Sequence, residues 1–166
     1  MKKITMKKII YLVLCIAFLS CNKQEPIQFT EEALSDTFVD LKGSSKSLKS
    51  ILDNHKGTPI LIEIWASWCG DCIKGMPKLK ALQNEFKDVA YVFLSLDREE
   101  EAWKKGIEKY NLQGEHYFMD NGKKGGFADF VNIDWIPRYM VVDANGNIKV
   151  FKAVEADDSR IAEHLN

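Results

Sequence analysis

The sequence has 166 residues, room for one ordinary domain and little more. With 46% hydrophobic and 28% charged residues it can bury a real core, which excludes a disordered or fibrous chain. Net charge is −1 and falls to −5 without Lys2, Lys3, Lys7 and Lys8, which excludes nucleic acid as the main partner.

The N-terminus carries that charge imbalance. MKKITMKK is basic, residues 9–19 (IIYLVLCIAFL) are an uninterrupted apolar run, and Ser20-Cys21 follows. Eleven apolar residues are too few to span a bilayer as a helix and suit the hydrophobic region of a signal peptide. Nothing polar marks a second face, which argues against a buried core helix. Ser20-Cys21, behind the bulkier Phe18 and Leu19, resembles a bacterial lipobox, where a cysteine after a small residue is lipidated and becomes the new N-terminus. That resemblance implies a signal peptide over 1–20, lipidation at Cys21 and a mature chain tethered to a membrane outside the cytoplasm, held weakly if by one acyl chain alone. Of the four cysteines, Cys15 then falls in the discarded segment and Cys21 carries lipid. Only Cys69 and Cys72 remain, too few for a disulfide scaffold.

Residues 21–36 have few large apolar side chains and read as a flexible tether. Structure is expected from Thr37, with FVDL (38–41) as a strand, Gly43-Ser44-Ser45 as a turn, and a short helix marked by Leu48, Ile51 and Leu52. ILIEIWA (60–66) is nearly continuous apolar sequence, the pattern of a central strand covered on both faces. A helix follows over 69–86, with Ile73, Met76, Leu79, Leu82 and Phe86 on one side, and then a second buried strand, VAYVFLSLD (89–97). Asp97 and Glu100 have capping-box spacing for a helix ending near Tyr110, where Glu100/Lys104 and Glu101/Lys105 pair on the solvated face. HYFM (116–119) reads as a short strand, 123–126 as a loop and 127–131 as a helical turn. RYMVVD (138–143) and IKVFKA (148–153) flank a hairpin turn at 144–147, where Asn145-Gly146 tolerates positive φ, and a helix over 157–164 closes the chain. The order predicts an α/β domain with a mixed central β-sheet and helices on both faces.

The chemistry lies in WASWCGDCIKGMP (65–77). A Cys-x-x-Cys pair placed after a buried strand and opening a helix meets unpaired N–H groups and the positive end of the helix dipole. Both favour thiolate over thiol at Cys69, making it the nucleophile, while Cys72 sits one turn on, placed to attack a mixed disulfide. Zinc would need two further ligands, but there is no second CxxC and His55, His116 and His164 are scattered. A peroxidatic site is disfavoured, since no Thr sits three residues before either cysteine with Pro four further back. A purely structural disulfide closing so small a loop would stabilise little. Glu63 stands out as a carboxylate inside an apolar strand, costly to bury unless it has a task, the alternative being that it reaches solvent at a strand end.

The stretch 62–72, with its Trp-Cys-x-x-Cys core, resembles the active-site strand and helix of the thioredoxin superfamily. Pro77 falls where that superfamily kinks the helix, and Ile136-Pro137 is similar to its cis-proline loop. With the signal peptide, SLDREEEAWKK and IPRYMVVDANGNI, the chain looks like the TlpA/ResA-type thiol–disulfide oxidoreductases of the cell envelope, over about 38–165. The resemblance implies a thioredoxin fold over 37–166, with an extra N-terminal strand region. It implies catalysis by Cys69 and Cys72, with Glu63 as the buried carboxylate that moves the proton of Cys72. Trp68, Ile136 and Pro137 would meet substrate, with Pro137 in a cis peptide rather than a plain turn; Trp65 has the stronger claim on the core. Two positions depart from the family. Gly75 stands where its members often carry Glu, three residues after the second cysteine, and Asp71 replaces the usual Pro. Gly70 and Asp71, between the cysteines, are the candidates for tuning the potential, and Arg138 is either a compensating charge for Asp71 or a surface residue.

The expected activity is exchange of disulfides with protein substrates, with no metal and no organic cofactor, since the dithiol is the redox group. Expected partners are protein disulfides or dithiols and a membrane or periplasmic electron donor or acceptor, for a monomer held at the membrane by lipid. The alternative is a non-catalytic lipoprotein using the fold as a binding or scaffold module, for which the two cysteines and Pro137 are unnecessary.

Overall fold

The computed structural model describes residues 24–165. The signal peptide over 1–20, Cys15 and Cys21 lie outside the described residues. Seven strands form one mixed sheet: β1 Thr37–Asp40, β2 Ser45–Ser47, β3 Ile60–Trp65, β4 Ala90–Ser95, β5 Glu115–Phe118, β6 Arg138–Val142 and β7 Ile148–Ala153. Their spatial order is β2-β1-β5-β4-β3-β6-β7. Every residue of β3 is buried, because it pairs in parallel with β4 on one side and antiparallel with β6 on the other. The continuous apolar run of that strand has this physical cause.

The helices are α1 Glu31–Ser35, α2 Leu48–Asp53, α3 Gly70–Glu85, α4 Glu100–Tyr110, α5 Gly126–Val131 and α6 Ser159–His164. α3 and α4 cover one face of the sheet. Tyr91 on β4 donates its hydroxyl to the Leu82 and Phe86 carbonyls at the end of α3, and Gly106 of α4 lies against Trp65. Lys80 of α3 reaches the Tyr110 carbonyl at the end of α4. On the other face Phe127 of α5 stands edge-on to Phe38 of β1, and α1 packs against α5 and α2. The chain thus has the expected thioredoxin-type arrangement, a mixed sheet between two helical layers, extended by the antiparallel β1–β2 pair.

The ordered fold begins earlier than Thr37. The Ile27 carbonyl accepts from Ile148 N, Phe29 packs on Phe127 and Phe130, and Thr30 caps α1 through Ala33 N. Ala33 is fully buried, and the Asp36 carboxylate receives the Phe127 amide at the start of α5. The second half of the expected tether is therefore part of the domain. Its grip is backbone bonds, the ring of Phe29 and the small Ala33, too few apolar residues to leave a stripe to read. A further difference is β2, which occupies part of the expected turn.

Candidate active site

β3 delivers the chain to a turn at Ala66–Trp68, and α3 starts directly after it. Cys69 is the N-cap residue, with φ −81° and ψ 106°, and its Sγ accepts from the Cys72 amide at 3.1 Å. A sulfur in the N-cap position takes the place usually held by a hydroxyl or carboxylate oxygen, so it sits on the unpaired amides of the first turn. Cys69 and Cys72 are joined as a disulfide. They are not equivalent: Cys69 keeps 6% of its surface and Cys72 none. Attack from outside can reach only Cys69.

The turn before Cys69 is braced by a residue whose task the sequence hides. Asp97 is buried, receives the Ser67 amide at 3.0 Å and the Ser67 hydroxyl at 2.7 Å, and takes a third bond from the Ser95 hydroxyl at 2.8 Å. It is not the cap of α4, as its spacing to Glu100 suggests. That helix starts behind Glu99, which makes no side-chain capping bond. The reason is tertiary: Ser67, thirty residues away, offers two donors to a carboxylate that the strand end already points inward. Trp68 follows Ser67 and is 61% exposed, whereas Trp65 is fully buried and belongs to the core.

Across from the turn, the Ile136-Pro137 peptide is cis and the Ile136 carbonyl oxygen lies 3.5 Å from Cys69 Sγ. Residues 67 apart in sequence therefore line one opening. Trp135, which the poorly patterned stretch 111–135 concealed, is 56% exposed beside it in the chain. Asp71 is on the outside of α3, exposed and paired with Lys74 at 3.2 Å; Gly70 has open space around it. Arg138 is neither a surface residue nor a counter-charge to Asp71. It is buried and pairs with Asp134. An open cleft beside Trp68 is lined by Asp97, Arg98, Glu99 and Ala102.

Glu63 lies in the middle of β3, 3% exposed, opposite Tyr139 in the β3–β6 register. The Tyr139 hydroxyl donates to Glu63 Oε1 at 3.1 Å, and Oε2 is buried without a hydrogen-bond partner. Burial pushes the Glu63 pKa up to about 8, against the opposing pull of the Tyr139 bond, so the side chain holds a proton at neutral pH. Tyr139 is itself pushed above the ordinary tyrosine range by burial and by the neighbouring Glu63, and stays neutral. A Cβ added at Gly75 on α3 would stand 3.3 Å from the Tyr139 hydroxyl, so the carboxyl and the tyrosine lie on the sheet face that α3 covers. Cys72 is on that helix, three residues before Gly75. Tyr139 reads in the sequence as one more apolar strand residue; its partner is 76 positions away. Among the described residues no group of three or more His, Cys, Asp or Glu is placed to hold a metal ion.

The fold is shared with known proteins. The thioredoxin-like family model matches residues 57–148. The chain is 30% identical to the thioredoxin-like protein YneN of Bacillus subtilis over 132 residues, 77% of this chain and 73% of that one. It is 24% identical to the thiol-disulfide oxidoreductase ResA of Bacillus cereus over 141 residues, covering 84% and 76%. Among solved structures, the thioredoxin domain of a thiol-disulfide oxidoreductase from Bacteroides vulgatus superposes with a TM-score of 0.68 at 30% identity, covering 84% of this chain and 99% of that one. A buried strand that delivers a Cys-x-x-Cys pair to a helix N-terminus, opposite a cis-proline loop, is thus set in a chain that belongs to the thioredoxin-like family, among thiol–disulfide oxidoreductases of the TlpA/ResA kind.

Proposed function

We propose that the protein is a thiol–disulfide oxidoreductase of the cell envelope that exchanges disulfides with protein substrates. The observation that carries this reading is the asymmetry of the dithiol: Cys69 at the opening with its sulfur on the helix N-terminus, Cys72 fully buried behind it. In the reducing direction the Cys69 thiolate attacks a substrate disulfide, forming a mixed disulfide and releasing one substrate thiolate. Cys72 then loses its proton to the ionised form of Glu63, the minor form at neutral pH, and attacks Cys69 Sγ. The Cys69–Cys72 disulfide forms, the second substrate thiolate leaves, and two electrons have passed to the substrate. The disulfide in the structure is the product of that half-reaction, and a dithiol donor must reduce it back to the two thiols. Substrate enters past Trp68, beside the Ile136 backbone and Pro137, where an extended segment can pair with main chain. The anchored position is supported by the resemblance around Cys21, and the activity by relatives named thiol-disulfide oxidoreductase and thiol:disulfide interchange protein.

Insulin reduction driven by a dithiol donor tests the activity. Cys69→Ser abolishes turnover, and Cys72→Ser accumulates a covalent mixed disulfide through Cys69. Activity that survives in Cys69→Ser removes Cys69 as nucleophile. Incorporation of labelled palmitate that is lost in Cys21→Ser tests the anchor.

A further inference from the structure

We propose that Tyr139 is the positioning residue for Glu63, its hydroxyl seated in the space that Gly75 leaves open on the helix of Cys72. This rests on the reading of Glu63 as the group that takes the proton of Cys72. The antiparallel register sets Glu63 and Tyr139 directly opposite each other, so their side chains leave the sheet on the same face. Among the described residues the hydroxyl is the carboxyl's one hydrogen-bond partner, at 3.1 Å. It also reaches the inner surface of α3, where a side chain at position 75 would crowd it at 3.3 Å. Burying a tyrosine hydroxyl is unfavourable without a partner, and here the partner is Glu63.

The direction of that bond decides where the proton of Glu63 goes. Tyr139 donates to Oε1, so in the neutral acid the proton sits on Oε2, the oxygen with no partner among the described residues. Tyr139 thereby leaves one oxygen free for exchange and fixes the other. The remaining charged groups that bear on the pair are few. From the sheet Glu63 is flanked by Phe93 and Tyr139, and from α3 by the helix that carries Cys72. Glu155 and Asp157, after β7, act on Tyr139, and both are paired with Lys78 of α3 at 2.8 and 3.0 Å.

Carboxyl-carbon NMR titration of the oxidised protein, with the pH profile of insulin reduction alongside it, tests the proposal. In Tyr139→Phe the Glu63 titration moves about one pH unit upward, the worth of one hydrogen bond to a charged group. The acid limb of the activity profile, where the rate rises as Glu63 ionises, moves with it, and the rate at pH 7 falls about tenfold. Gly75→Ala moves both in the same direction by less in the Tyr139 protein, and moves neither when Phe already occupies 139. An unmoved titration in Tyr139→Phe, or a Gly75→Ala shift equal in both backgrounds, overturns the inference. Glu63→Gln separates the two levels. If it keeps the wild-type limb, the proton-handling reading falls and this inference with it; if it loses the limb while Tyr139→Phe leaves the limb in place, the inference alone falls.

Discussion

Glu63 in β3 and Asp97 just beyond the adjacent strand β4 are both buried carboxylates, each only 3% exposed, and they are satisfied in opposite ways. Asp97 takes three hydrogen bonds shared over both oxygens, from a backbone amide and two hydroxyls. Glu63 takes one and keeps an oxygen bare. A buried carboxylate with its lone pairs filled is a brace, and here it holds the turn that presents Trp68 and Cys69. One left half-filled favours its neutral form and becomes a reservoir for a proton. Burial alone distinguishes neither, and the number of donors distinguishes both.

The largest expected effect that sharpens this contrast is on stability against pH. The folded-state pKa of Glu63 is about 8 against an ordinary 4.5, so between those values the folded chain binds more protons than the unfolded one. Its contribution therefore worsens as pH rises from about 4.5 through about 8, the reverse of a carboxylate whose pKa is depressed on folding. Glu63→Gln removes that slope. Denaturant unfolding of the oxidised proteins should find them alike near pH 4 and the variant more stable at pH 9 by on the order of 5 kcal/mol. Parallel curves would break the contrast at its Glu63 side.

At the other carboxylate the sign reverses. Asp97→Ala strands the Ser67 amide and both hydroxyls and should cost about 3 kcal/mol in the same measurement, with slower insulin reduction because the turn before Cys69 loses its anchor. A variant as stable and as fast as wild type would show that Asp97 braces nothing. The same turn can be pressed from behind. Gly106→Ala puts a Cβ 2.6 Å from Ser67 Cβ and 3.2 Å from the Trp65 ring, and overpacking should outweigh the gain in helix propensity. A net loss of about 1–2 kcal/mol in thermal or denaturant unfolding is expected.

The smallest effect belongs to a carboxylate outside both regions. Asp71 is half exposed and tied to Lys74, so its field at the dithiol is screened. Asp71→Pro should make the reduction potential less negative by no more than about 30 mV, read by equilibration against a glutathione buffer. A shift to equal or more negative potential would show that Asp71 does not favour the disulfide.

The parts of the fold most legible in the sequence are those where burial writes a pattern. ILIEIWA is apolar throughout because β3 is covered on both faces, and the residues at 144–147 give the hairpin away because Gly146 must take φ +86°. The dithiol, the cis-proline and Glu63 are likewise legible, since each is costly without a reason. Asp97 was misread because a capping box is a local signal and its true donor at Ser67 is a tertiary one. Trp135 and the packed segment from Ile27 escaped for a related reason: neither lies on a periodic face. Tyr139 and Gly75 are ordinary residues in sequence, and their pairing exists only where α3 crosses the β3–β6 pair.

The bond from Ile148 N to the Ile27 carbonyl fixes where the N-terminal segment joins the domain. Ile148 starts β7, beside Val142 at the end of β6, which in turn lies opposite Ile60 at the start of β3. The dithiol is at the far end of β3, six residues away and so about 20 Å along the sheet. With lipid at Cys21 as proposed, the anchor lies no more than about 20 Å of extended chain from Ile27. The domain would then stand on the membrane by its blunt end with Cys69 pointing outward, at an altitude of up to about 40 Å. Its clients would be chosen by how close to the bilayer their cysteines pass as much as by the shape of the opening.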